Sequence, residues 1–377
     1  MSEYQYIGFR AIDSRVSEKN LQYMRRQSTR AEITAWSFEN EYHYGDFHGN
    51  AVEMLHRGYD IHLHYANFGI RTLLIRLPCS LPDAEAAKPY LAGDSLRFRK
   101  DKRGPGGVLE FSPSYEPGDL DELWDLGELL DRLVPLRSEI LDGDLRPLYL
   151  AHLAICSDME HDPQQTVEAP VPAGLQEPTH AQLALAELYG ISESLIAAAA
   201  QESVPLPTVT NRRTRYAEWL AGQPEKTKDA WLAELLGDPR SSIRSKILAE
   251  FARASQTERW PTVWAGRTIA QLEAIAEEIH LKEQKRAADK AARQRARLLK
   301  KMAADPAPYL RKTEKLVAER STDSYRQAAE MLADLREALA GTKQSGLAEK
   351  QALKLKTKNS RLHRLTGALR EQGFVPK

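Results

Sequence analysis

The sequence predicts an α+β N-terminal domain followed by an all-α C-terminal region with one long basic helix. β-branched and aromatic runs broken by glycines fill the chain up to Phe111, a composition of short strands and turns. Beyond Asp119 the apolar residues take the three-and-four spacing of amphipathic helices. The charge divides too. Leu281 to Lys377 holds 24 Lys and Arg against 11 Asp and Glu, while the 377-residue chain balances at 53 of each. An acidic body therefore precedes a basic tail.

Tyr4 to Ile12 reads as a first strand, and Ser17 as the N-cap of a helix running to Gln27 with Leu21 and Met24 on one face. Ala31 to Trp36 alternates as a half-buried strand. Gly45 and Gly49 mark an irregular loop, and Ala51 to Arg57 is a helical turn stopped by Gly58. Tyr59 to Ala66 and Ile70 to Leu77 form a hairpin across Asn67-Phe68-Gly69. A second hairpin joins Leu96–Lys100 to Val108–Phe111 through Gly104-Pro105-Gly106-Gly107. Leu123, Leu126, Leu129, Leu130 and Leu133 line one helix, and Leu145 to Cys156 forms another.

Asp158 to Thr179, rich in Pro, Glu and Gln, reads as a linker. Ala181 to Gln201 reads as one buried helix. Short helices follow at Tyr216–Leu220, Ala230–Leu236 and Ile243–Ala254, with Trp219, Trp231, Leu235, Ile247 and Phe251 as core anchors and a turn at Gly237-Asp238-Pro239. Arg267 to Ala304 is a single helical pattern without large apolar residues between Lys282 and Arg297, which excludes a heptad seam. Pro306 and Pro308 end it, and helices around Leu310–Arg320, Thr322–Ala340 and Leu347–Glu371 close the chain, the last with an expected break near Asn359-Ser360. The expected domains are 1–157, a linker at 158–179, a helical domain at 180–265 and a basic helical tail at 266–377.

Composition narrows the function classes. Cys79 and Cys156 are the only cysteines, too few for a cysteine-rich zinc site or a disulfide framework, and a reducing cytoplasm is the expected setting. No stretch approaches the roughly 18 apolar residues of a membrane span, so no membrane partner is expected.

Four constellations are candidates for chemistry. On the strand around Ile61, His62 and His64 share a face, with Asp60, and a preceding loop supplies His43, Asp46 and His48. Imidazole and carboxylate are ligands for zinc or manganese, and the set reads as a metal or acid–base site. The competing reading has the two strand histidines hydrogen-bonded to Asp46, Asn50 or backbone. Arg25, Arg26, Arg30, Glu32, Glu39 and Asn40 form either an anion fork or a structural network. The glycine turn at 104–107, flanked by Arg97, Arg99, Lys100, Lys102 and Arg103, lacks the Lys-Ser/Thr of a Walker loop and reads as an exposed basic hairpin. Finally, Lys282, Lys285, Arg286, Lys290, Arg293, Arg295 and Arg297 fall on several faces of the long helix, charge that suits a phosphate backbone. Aromatics for stacking on bases are scarce there, being limited to Tyr309, Tyr325 and Phe374.

Two stretches carry a resemblance. MRRQSTRAEIT, NEYHYGDFHGN and YANFGIRTLLIRLP, near the N-terminus, resemble a group of uncharacterised bacterial proteins without an assigned activity. KLVAERSTDSYRQAAEMLADLREAL followed by SRLHRLTGALREQGF resembles the tail of bacterial SWIM zinc-finger proteins. The finger's own Cys-x-Cys and Cys-x-His pairs are missing, so that likeness implies a shared helical tail serving assembly, without zinc. The sequence thus leads to a non-catalytic subunit of a bacterial multi-protein assembly that needs no cofactor. It binds other protein subunits and, through its tail, DNA or RNA. The alternative is a metal-dependent hydrolase or nuclease built on the histidine set.

Overall fold

The computed structural model describes residues 4–102, 104–116, 118, 120–156, 162–206, 212–237, 243–254 and 260–376. Arg103, the first residues of the expected linker and the Asp238-Pro239 turn lie outside them. Two compact units divide the chain, Met1–His280 and Leu281–Lys377.

The first unit is built on one seven-stranded antiparallel sheet. Its strands are β1 (Gln5–Arg10), β2 (Glu32–Ile33), β3 (Ser37–Tyr42), β4 (Ile61–Ala66), β5 (Ile70–Leu77), β6 (Leu96–Lys100) and β7 (Gly107–Phe111), in the order β2-β3-β1-β4-β5-β7-β6. The two expected hairpins are β4–β5 and β6–β7. Gly69, at φ +110°, turns the first of them, and a Cβ there would meet the Tyr115 carbonyl.

The strand expected at 31–36 moves. Thr34 Oγ1 accepts from the backbone N–H of Trp36 and Ser37 at 3.0 and 2.9 Å, folding the chain into a tight turn. Only Glu32–Ile33 stays extended before it, and the long strand is β3, which pairs with β1 along six residues. Alternation along β3 buries Phe38 and Asn40 on one face and sends Glu39 and Glu41 to the other.

Both faces of the sheet are covered. Ile7, Phe9, Phe38 and Leu74 pack under α1 (Glu18–Arg25) and α2 (Ala51–His56), through Met24, Met54, Leu55 and Tyr59. Ser17 and Asn50 cap these helices. The opposite face, with Tyr6, Leu63, Tyr65, Leu73 and Phe111, packs on the leucine-rich helices that follow. A short α3 (Ala84–Ala87) precedes α4 (Leu126–Leu133), α5 (Pro135–Leu141), α6 (Arg146–Cys156), α7 (His180–Leu188) and α8 (Glu193–Ala200). The expected single helix at 181–201 is two, because Gly190 takes φ +67° and Ser192 caps a new start.

Within the expected linker, residues 168–175 run through the core. Ala169, Val171, Ala173 and Leu175 are buried, and Glu168 pairs with Arg267 at 2.5 Å. β8 (Val171–Pro172) pairs with β9 (Thr262–Val263), tying this segment to the chain beyond the helices α9 (Arg212–Ala221), α10 (Glu225–Gly237) and α11 (Ile243–Ala254). Trp219 and Trp231 stack at 5.6 Å and Phe251 meets Trp219 edge-on. Leu235, expected as a core anchor, is 52% exposed, and α10 buries no residue.

α12 (Ile269–Ala304) begins in the first unit, where Ile269 and Leu272 enter the core, and ends in the second. There Met302 packs with Leu335, Leu339 and Ala348. α13 (Ala307–Ala318), α14 (Thr322–Ala338), α15 (Leu347–Lys358) and α16 (His363–Glu371) close a small bundle around Leu316, Tyr325, Leu332, Leu355 and Leu369. Asn359 ends α15, where the last helix is expected to break. Among the described residues no helix is long and apolar enough to cross a membrane.

Candidate functional sites

The histidine set does not assemble. His62 lies on a covered sheet face, with its ring stacked on Phe9 at 4.1 Å and Nδ1 hydrogen-bonded to the Gly8 carbonyl at 3.0 Å. Burial, opposed only by that carbonyl, lowers its pKa to about 3, so the ring is neutral and Nδ1 is the donor. His64 meets Gln5 Oε1 at 3.1 Å, and Gln5 Nε2 donates to Asp46 at 2.7 Å. Burial lowers the pKa of His64 as well, with Asp46 opposing. Gln5 therefore relays the loop carboxylate to the strand imidazole and holds the loop in place. Asn50 is occupied in capping α2. His43 and His48 are exposed, and His43 packs on Tyr4 at 5.5 Å, on the face opposite His62. Among the described residues no three His, Cys, Asp or Glu side chains are grouped to hold a metal ion. Asp60 reaches away from the pair, accepting from Ile12 N–H at 2.6 Å and facing Arg137 at 3.4 Å.

The arginine set is dispersed. Arg25 pairs with Glu18 at 2.8 Å, Arg26 donates to the Gln22 carbonyl, and Asn40 contacts Ser28. Glu39 instead binds Arg10, 2.6 Å away, which also holds Asp131. In the basic hairpin, Glu110 is shared by Arg97 and Arg99 at 2.8 and 3.1 Å, Arg97 also pairs with Asp94, and Arg99, Lys100 and Lys102 are exposed.

The long helix behaves otherwise. Residues 281–298 are all exposed. Arg286, Lys290, Arg293 and Arg297 line one shallow groove of about 370 Å³ with Asp289 and Gln294. Their spacing of four, three and four residues places them in one stripe about 60° wide. Lys282 falls on the same stripe, so the cations are less scattered than the sequence reading has them. Arg295 points elsewhere, pairing with Asp334 at 2.9 Å and Glu337 at 2.6 Å on α14. Among the described residues no ion pair engages Lys285, Arg286, Lys290, Arg293 or Arg297.

Sequence reasoning missed one feature, a cleft of about 820 Å³ in the first unit, on the sheet face opposite His62. Tyr4, Tyr6 and Tyr65 form its aromatic side, and Glu39, Glu41 and His43 enter it from β3 and the residue beyond. Glu122, Trp124, Asp125 and Glu128 supply the far wall. The signal was present: Glu39, Glu41 and His43 alternate, as do Tyr4 and Tyr6. It is hidden because the expected strand stops at Trp36, and Gly45 and Gly49 mark only a loop around His43.

No family model, curated protein or solved structure matches this chain. The site geometry is therefore the ground for a functional reading.

Proposed function

We propose that this chain is a non-catalytic subunit whose α12 stripe binds a polyanionic backbone, nucleic acid foremost, while its helical tail serves assembly with other proteins. The observation that carries this is the alignment of Arg286, Lys290, Arg293 and Arg297 along one exposed groove without acidic partners in ion-pair range among the described residues. Four cations over twelve residues span about 16 Å of helix, enough to follow several phosphates of one strand. Such contacts read charge and carry no sequence preference. The surrounding excess of Lys and Arg from Leu281 onward favours capture of the same ligand.

Support also comes from what the other polar groups do. The strand histidines serve as hydrogen-bond partners within the sheet and its loop, and Glu110 takes up the hairpin arginines. Filter retention of labelled duplex DNA and of RNA at low salt tests the reading. Retention of either, abolished by R286A/K290A/R293A/R297A, is expected. Equal retention by that variant overturns it.

A further inference from the structure

We propose that the aromatic cleft of the first unit binds a small organic cation, an ammonium or guanidinium head group on a compact aliphatic body. The cleft's size, about 820 Å³, is that of a small-molecule site. Its walls are held in place. Tyr65 Oη accepts from Leu123 N–H at 3.2 Å, and buried Arg71 donates to the Asp121 carbonyl. Those two bonds pin the loop that carries Glu122, Trp124 and Asp125 against the sheet. Across the cleft, β3 presents Glu39 and Glu41, fixed by pairing with β1 along its whole length.

The charge decides the ligand class. Arg10 offsets Glu39. Glu41, Glu122, Asp125 and Glu128 remain, and none of the four makes an ion pair among the described residues. Among the described residues, the exposed imidazole of His43 is the only basic side chain lining the cleft. The N-terminus of α4 also faces it, and a helix start carries about half a positive charge. Four carboxylates outweigh that, so an anion is disfavoured and a cation attracted. Trp124, 76% exposed, and the half-buried Tyr4 ring offer π faces on which a cation is held best when water is excluded, while Tyr65, buried and already beneath the Arg71 guanidinium, backs the wall.

A further observation at the floor is independent of the acidic wall. Tyr6 is 2% exposed, and its hydroxyl makes no hydrogen bond of ordinary geometry among the described residues. Arg10 reaches it only as a weak donor, its guanidinium being committed to Glu39, Asp131 and two carbonyls. A buried hydroxyl without a well-placed partner is costly, and a polar head group seated on the floor supplies one. Burial raises the Tyr6 pKa well above its ordinary value, so the group stays a neutral donor and acceptor.

Isothermal titration of the full chain with spermidine, agmatine and choline tests this, with glucose as the neutral control. At least one cation is expected to saturate a single site, and the tightest of the three identifies the head group. The E41Q/E122Q and W124A variants are each expected to weaken binding about tenfold or more. These side chains are exposed, so the thermal melt is expected to stay unchanged in both variants. Saturation by none of the three cations up to about 10 mM overturns the proposal. So does equal binding of glucose, or wild-type affinity in both variants.

Discussion

In the unit that ends at His280, arginines lie buried against carboxylates and carbonyls; in the unit that begins at Leu281, the basic side chains of α12 stand in solvent. Arg137 binds Asp13 at 2.6 Å, faces Asp60 and donates to the Arg76 carbonyl. Arg146 and Arg267 are held in the same manner by Asp144 and Glu168. A charge removed from water demands such partners, and groups so paired cannot also serve a ligand. On α12, Arg295 is drawn into carboxylate pairs with Asp334 and Glu337, and among the described residues Arg286, Lys290, Arg293 and Arg297 make no ion pair. Counting cations therefore says less about binding than knowing which of them are already occupied.

The contrast predicts a ranking of effects. Arg137→Met leaves the carboxylates of Asp13 and Asp60 buried together. Chemical denaturation is expected to show a loss of about 3–5 kcal/mol, whereas a loss under about 1 kcal/mol makes the buried pairs expendable. The R286A/K290A/R293A/R297A variant is expected to lose about a hundredfold in affinity for a nucleic-acid duplex in 50 mM salt, with an unchanged melt.

Next in size is the response to acid. The folded pKa of His62, about 3, lies below that of an unfolded histidine, so the unfolded chain binds the extra proton. Stability from this group is complete above pH 6.5 and falls as the pH drops toward 3. Between pH 6.5 and 5 the loss is about 2 kcal/mol, and His62→Gln removes that slope. Equal slopes for both proteins contradict the buried, neutral ring. The smallest effect is expected for Arg295→Ala, whose duplex affinity stays within about twofold of wild type because that guanidinium is already paired.

Much of the fold is legible in the sequence, because hydrophobic period and glycine placement report local structure directly. Both hairpins follow from their turns, and α12 follows from its unbroken pattern up to Pro306. The rest depends on distant partners. The proline-rich 162–179 segment resembles a linker until Glu168 finds Arg267, 99 residues on. His62 resembles a ligand because nothing local reveals that α1 and α2 cover its face. β3 is disguised by its glutamates, which are sheet residues lining a cleft. The stripe on α12 is readable from spacing alone, but the removal of Arg295 from the available cations requires α14.

Fluorescence anisotropy of a labelled DNA duplex, titrated with the full chain over a range of salt concentrations, tests the availability of the α12 stripe most directly. If four cations engage phosphates, log K falls against log salt with a slope of about −3.6, and the stripe variant loses most of that slope. A slope near zero in the wild-type chain, or the same slope in both proteins, contradicts it.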